Sequence, residues 1–248
     1  MKTGEKTGMG TAATLGNHLA ALAHLFFPRH CPVCGQELGE GEEFLCIPCR
    51  WNMPLTQFWR EADNPLLRKF DGIVPLERAA SFFFYCKGSG YDRLIHGFKY
   101  EGRHALSYEL GRWFGNELRE SGLFGGIDVI VPVPLHYVRL VKRGYNQSEL
   151  FARGIGTSLG TAISAGNVVR SVNNRSQARR GSNERWENVE GIFRVRHPQQ
   201  LEGKHVLVVD DVVTTGATVE SLMGAILGAA PDCRLSLAVL ASSMKDIL

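Results

Sequence analysis

The sequence predicts an α/β protein, a parallel sheet flanked by helices, with a small N-terminal four-cysteine metal ribbon ahead of it. Three observations carry this. Apolar runs at residues 79–86, 127–133, 206–209 and 235–240 read as strands, and 206–209, with three of its four residues β-branched, as one buried on both faces, the kind found inside parallel sheets. The second and third are each followed by a loop and then by helical apolar spacing, the alternation that parallel crossovers require. Cys31-Pro-Val-Cys34 and Cys46-Ile-Pro-Cys49, with eleven residues between Cys34 and Cys46, have the spacing of a tetrahedral four-thiolate zinc ribbon.

A chain of 248 residues with 44% hydrophobic content suits one large domain, or a domain with a small appendage. The net charge is only +3, so any affinity for nucleic acid must come from a local patch.

Residues 1–16, rich in Gly, Thr and Lys, lack periodicity and are expected to form a disordered tail. The apolar stretch from Leu19 to Phe27 is interrupted by His24, has no small-residue cleavage site after it and is too short to span a bilayer. It is expected to be a docking helix beginning near residue 17, with no membrane span in the chain. Cys31, Cys34, Cys46 and Cys49 would fill a tetrahedral zinc site with thiolates, which makes the metal structural. Gly35 suits the turn that aims backbone N–H groups at the sulfurs. The six cysteines, four at metal spacing and Cys86 and Cys233 isolated, fit a reducing cytoplasm. Glu37, Glu40, Glu42 and Glu43 would repel phosphates from the ribbon. Trp51, Phe58 and Trp59 are expected to pack the ribbon against its neighbour. Asn64-Pro65 marks the boundary, which gives a docking helix and ribbon over 17–64 and a main domain over 65–248.

In the main domain Cys86 is expected in the core, and Gly88, Ser89 and Gly90 turn the chain. Lys99 and Arg103 lie in a glycine-bearing link, where a solvated loop and a ligand role are equally open. Leu106, Leu110, Trp113, Phe114 and Leu118 mark one helix face, and Leu150, Phe151, Gly154, Ile155 and Leu159 another. Between strand 127–133 and the second helix runs a loop carrying Arg139, Lys142, Arg143 and Gly144. Arg170, Arg175, Arg179, Arg180 and Arg185 stand against one acid, Glu184, in a stretch with little to bury, so a basic hood is expected at about 170–190. Two readings stand for it: a solvated loop, or contact with phosphate or single-stranded nucleic acid.

The most informative stretch is Val206 to Thr218. A buried strand ends in Asp210 and Asp211, a hydroxyl-rich turn follows through Thr214, Thr215, Gly216, Ala217 and Thr218, and a helix marked by Val219, Leu222, Met223 and Ile226 begins at once. Helix N-termini favour anions, because first-turn N–H groups lack intrahelical partners. Carboxylates cannot share that anion, so they want hydroxyl donors or a metal ion. The combination suits a sugar phosphate. The alternatives are an apolar strand that ends in two acids by chance and a Walker B strand, and the second lacks the Gly-x-x-x-x-Gly-Lys-Ser/Thr it needs.

These thirteen residues resemble the phosphoribosyl pyrophosphate (PRPP) motif of type I phosphoribosyltransferases. The resemblance implies that Asp210 and Asp211 hold the ribose hydroxyls, that Thr214 to Thr218 hold the 5′-phosphate, and that Mg accompanies PRPP. It also implies that the loop of Arg139, Lys142, Arg143 and Gly144 cradles the pyrophosphate, although Pro132 and Pro134 depart from the family's plainer loops. Together with the zinc knuckles, Val131 to His136, Arg143 to Gln147, and Gln177, Arg185, Asn188 and Phe193, the chain is similar to the ComF family of competence-associated proteins. That likeness implies a type I phosphoribosyltransferase-like domain behind a zinc ribbon, handling incoming single-stranded DNA with other competence or DNA-processing proteins. Arg175, Arg179, Arg180 and Arg185 are then the candidate nucleic-acid contacts.

Whether transfer is catalysed stays open. Purine-salvage transferases place an Asp general base where this chain has Thr214, a poor base at neutral pH. His136 is either an acid or base or a structural loop residue. A PRPP-binding accessory protein and an active phosphoribosyltransferase with an unidentified acceptor are the two main readings. A regulator that uses the pocket as a sensor is the third.

Overall fold

The computed structural model describes residues 29–100, 104–170 and 192–247, and the chain divides into two compact units between Asn52 and Met53. The expected tail, the docking helix, Arg103, and Arg175, Arg179, Arg180 and Arg185 lie outside the described residues. In the first unit the chain forms two cysteine turns and helix α1 (Ile47–Trp51), with an antiparallel bridge between His30 and Glu37.

The second unit is built on a parallel sheet of five strands: β1 (Arg78–Tyr85), β2 (Val129–Pro132), β3 (Ala162–Ile163), β6 (His205–Val213) and β7 (Arg234–Ser243). Their order is β1-β7-β6-β2-β3. The last strand in sequence, expected to close the sheet, instead lies between β1 and β6, which explains why it is buried almost throughout. Strands β4 (Val168–Arg170) and β5 (Phe193–Val195) form a separate antiparallel ribbon at the two ends of the segment expected to be the hood. The helices of this unit are α2 (Pro65–Arg68), α3 (Asp92–Tyr100), α4 (His104–Ser121), α5 (Tyr137–Arg143), α6 (Gln147–Leu159), α7 (Ala217–Ala229) and α8 (Met244–Ile247).

Three expectations are corrected. Lys99 lies on the last turn of α3, a helix the link hid. The cation-bearing loop after β2 contains α5, so Arg139, Lys142 and Arg143 sit on a helix closed by Gly144 at φ +79°. Cys86, one residue past the end of β1, is exposed. Trp59 is buried within the second unit, its ring 5.6 Å from Phe114 and its indole N–H donating to Glu117 Oε2 at 3.2 Å, whereas Trp51 is 87% exposed. Asn64 caps α2 by accepting from the Leu67 N–H and donates to the Ala79 carbonyl at 2.8 Å, which ties residues before β1 to the sheet.

Helices α4 and α6 meet backbone to backbone. A Cβ on Gly154 would stand 2.1 Å from the Tyr108 carbonyl oxygen, and one on Gly111 2.2 Å from that of Phe151. No rotamer change relieves a clash with backbone, so these glycines fix the separation of the two helices and thereby where α6 begins. Gly154→Ala should destabilise the domain by about 3 kcal/mol despite alanine's better helix propensity. A melting curve should show a loss of about 5–10 °C.

His205, at the start of β6, is 2% exposed and shares a hydrogen bond with Ser236 Oγ at 2.9 Å. Burial lowers its pKa, the charge of Glu77 opposes this, and that of Arg234 adds to it. The folded state therefore keeps His205 neutral where the unfolded chain protonates it. Stability should fall as pH drops below about 6.5, by at most about 1.4 kcal/mol per pH unit from this group. Denaturant titrations between pH 7 and 5 should show a flatter profile for His205→Gln than for the parent chain.

Candidate functional site

The sheet reverses its winding between β2 and β6: the chain leaving β2 crosses outward to β3, and the chain leaving β6 crosses the other way to β7. In open α/β sheets such a switch point opens a crevice beyond the carboxyl ends of the two strands. The sequence places its most polar segments there.

On the β6 side, Asp210 is 7% exposed and Asp211 half-buried. Asp210 Oδ1 accepts from Ser148 Oγ at 3.0 Å and from the Asp211 N–H at 2.8 Å, and Asp211 Oδ1 accepts from the Val212 N–H at 2.8 Å. Thr214, Thr215 and Ala217 are exposed, Thr218 is half-buried, and Gly216 takes φ +90° at the N-cap of α7, which has no side-chain cap. That turn needs glycine twice over. Its φ is left-handed, and an added Cβ would press on the Phe70 ring at 3.2 Å. The stem of Lys69 lies beside the same turn, with Cε 3.4 Å from that Cβ position, and its Nζ donates to the Asp246 carbonyl at 2.9 Å.

On the β2 side, Asn146 caps α6 by accepting from the Ser148 N–H at 3.2 Å and donates to the Val133 carbonyl at 3.0 Å. His136 caps α5, accepting from the Val138 N–H. Arg139 and Lys142 are exposed and Arg143 is half-buried. Arg170, at the end of β4, lies with its guanidinium carbon 5.4 Å from the Phe193 ring centroid. Burial lowers its pKa, the charge of Arg139 adds to this, and the Asp210 carboxylate opposes it. Arg170 is thus within electrostatic reach of both halves of the site.

Ser148 and Lys69 escaped the sequence-based site. Ser148 follows the Arg-Gly-Tyr-Asn-Gln run directly, which was a usable signal. Lys69 is remote in sequence from every motif and carried none.

In the first unit the four sulfurs of Cys31, Cys34, Cys46 and Cys49 lie within 4.8 Å of one another, and those of Cys34 and Cys46 are 3.7 Å apart. Zn–S bonds of about 2.3 Å in a tetrahedron place sulfurs about 3.8 Å apart, so the cluster can hold a metal ion such as zinc. Burial alone would raise the Cys31 pKa, but N–H groups of Cys46, Cys34 and Val33 aimed at its sulfur bring it to about 7. Burial, followed by bonds and charge from the neighbouring cysteines, pushes the Cys49 thiol up. Several thiolates so close together need a cation to balance them. Glu42 braces the second knuckle by accepting from the N–H groups of Gly39 and Ile47. Among the described residues no helix is long and apolar enough to cross a membrane.

Residues 121–247 match the family model described as phosphoribosyl transferase domain, which is the class that the parallel sheet and the crevice define. The chain is 34% identical over 195 residues to the DNA utilization protein YhgH of Salmonella typhi, covering 77% of this chain and 75% of that protein. It is 34% identical over 195 residues to YhgH of Escherichia coli K12 (77% of this chain, 81% of that protein). It is 27% identical over 134 residues to competence protein F of Haemophilus influenzae (52% of this chain, 58% of that protein). The chain belongs to the ComF/YhgH family of phosphoribosyltransferase-domain proteins.

Metal analysis of the purified chain should find about one zinc per molecule. Cys46→Ser should lower the stability of the first unit, and a metal-free chain of unchanged stability would refute a metal role for the cluster.

Proposed function

We propose that this chain binds PRPP in the crevice between β2 and β6 and acts in the handling of single-stranded DNA, in the cytoplasm, with a structural zinc in its first unit. One observation carries the reading: an acidic pair, a hydroxyl-rich helix N-terminus and a glycine-capped basic helix converge at one switch point, joined by the bond from Ser148 to Asp210. Asp210 and Asp211 take the ribose diol, Thr214 to Thr218 the 5′-phosphate, and Arg139, Lys142 and Arg143 the pyrophosphate. Hard oxygen donors suit the magnesium that the family binds with PRPP, and Asp211, half-buried at the strand end, is of that class. The names of the relatives, DNA utilization and competence, support the DNA role. The four cysteines at metal spacing support a reducing compartment.

The match to a phosphoribosyl transferase domain favours a second reading, transfer to an unidentified acceptor. Thr214 in the place of a carboxylate base speaks against purine salvage. Pyrophosphate release from PRPP, followed with nucleobases and with single-stranded DNA as acceptors, separates binding from transfer.

Asp211→Asn keeps the shape and the oxygen that accepts from Val212, and replaces a charged acceptor by an amide. Bonds to charged groups contribute about 1.5 to 3 kcal/mol, so calorimetry should show PRPP affinity falling by about one to two orders of magnitude. Inorganic phosphate should bind the variant and the parent chain alike. Equal losses for both ligands, or none for PRPP, would refute the ribose clamp.

A further inference from the structure

Helix α5 leaves its apolar side chains in the open, unlike the usual surface helix of a folded domain. None of its residues is buried: Tyr137 is 73% exposed, Val141 64%, Val138 56% and Leu140 38%. At about 100° per residue these four share one arc, and Arg139, Lys142 and Arg143 share the other. An amphipathic surface helix normally turns its apolar arc to the core. Here neither arc is buried: Arg139 and Lys142 are exposed and Arg143 is half-buried, so the apolar and the basic side chains reach solvent together. The apolar arc is left to solvent at the mouth of the crevice, and contiguous exposed apolar surface of this kind marks an interaction site.

Charge decides what it meets. The helix carries three cations and no acid, so its complement is anionic. An exposed aromatic ring flanked by aliphatic side chains, with cations on the other arc of the same seven-residue helix, offers a single strand a surface for its bases and a neighbouring one for its phosphates. A duplex hides its base faces and can use only the cations.

We propose that α5 is a single-stranded DNA contact surface with Tyr137 as its stacking platform, and that DNA and PRPP exclude one another because both use Arg139, Lys142 and Arg143. The exclusion rests on the PRPP reading of the crevice. The stacking surface does not.

Fluorescence anisotropy with a labelled oligothymidylate, with and without PRPP, tests both parts. Tyr137→Ala should weaken oligonucleotide binding about tenfold, Tyr137→Phe should restore it, and both variants should melt like the parent chain. PRPP affinity, read by calorimetry, should stay the same in Tyr137→Ala, whereas Arg139→Ala should weaken both ligands. Saturating PRPP should displace the oligonucleotide from the parent chain. A duplex of the same length should bind more weakly and be indifferent to Tyr137→Ala. The stacking surface is overturned if Tyr137→Ala binds the oligonucleotide like the parent chain. It is equally overturned if the parent chain instead binds vesicles of anionic lipid in a Tyr137-dependent way and ignores the oligonucleotide. If PRPP binds but both ligands are held at once, the exclusion fails while the PRPP reading stands. If PRPP does not bind the parent chain at all, the PRPP reading fails, and the Tyr137 arms still decide the surface.

Discussion

A carboxylate buried at the end of an apolar strand is the constraint on which the larger unit depends. Asp210 is 7% exposed and follows four residues that are wholly buried. Burying such a charge is costly unless hydrogen bonds meet it. Ser148 Oγ and the Asp211 N–H both donate to Oδ1, and Ser148 itself is 3% exposed. Ser148 must therefore arrive at β6 from a different strand's helix. Its position is set by Asn146, which caps α6 and also holds the Val133 carbonyl just past the end of β2. One buried bond thus fixes the ends of two strands and the start of one helix relative to each other.

That bond is only as well placed as α6, and α6 is placed by glycines. Gly111 and Gly115 on α4 meet the backbone of α6, and Gly154 on α6 meets that of α4, at distances that leave no room for a methyl group. Phe114 and Phe151, stacked 6.0 Å apart, fill the remaining space between the same helices. The contact is nearly incompressible, so a change in the spacing of α4 and α6 would reach Asp210 through Ser148.

These dependencies explain what could be read from the chain alone. Strand β6, its acidic pair and the turn after it form one contiguous run whose polarity switch is local, so they were legible. The cysteine cluster was legible because its spacing is its chemistry. Helix α5 was not, because its apolar residues face outward and the prolines before it imitate a loop. The bond from Ser148 to Asp210 spans 62 residues, and no local pattern records it. The apolar pattern showed that residues 235–240 form a strand, but strand order depends on which crossovers the helices allow. The placement of β7 beside β1 therefore had to come from the structure.

The charges at the crevice also narrow the proposed ligand. Cations lie on α5, unpaired helix N–H groups lie at the start of α7, and two carboxylates stand at the strand end that the site shares. Like charges about 4 Å apart repel by about 4 kcal/mol at an effective dielectric near 20, so a plain polyanion laid across both loops would have to pass the carboxylates. A ligand with phosphates at its two ends and hydroxyl donors between them meets each group with its complement, and PRPP has that form. A DNA strand does not, since its charges recur at every sugar. A strand held on α5 can use the cations and the exposed ring while staying outside the acidic pair, so the carboxylates admit the sugar phosphate to the crevice and keep the nucleic acid at its mouth.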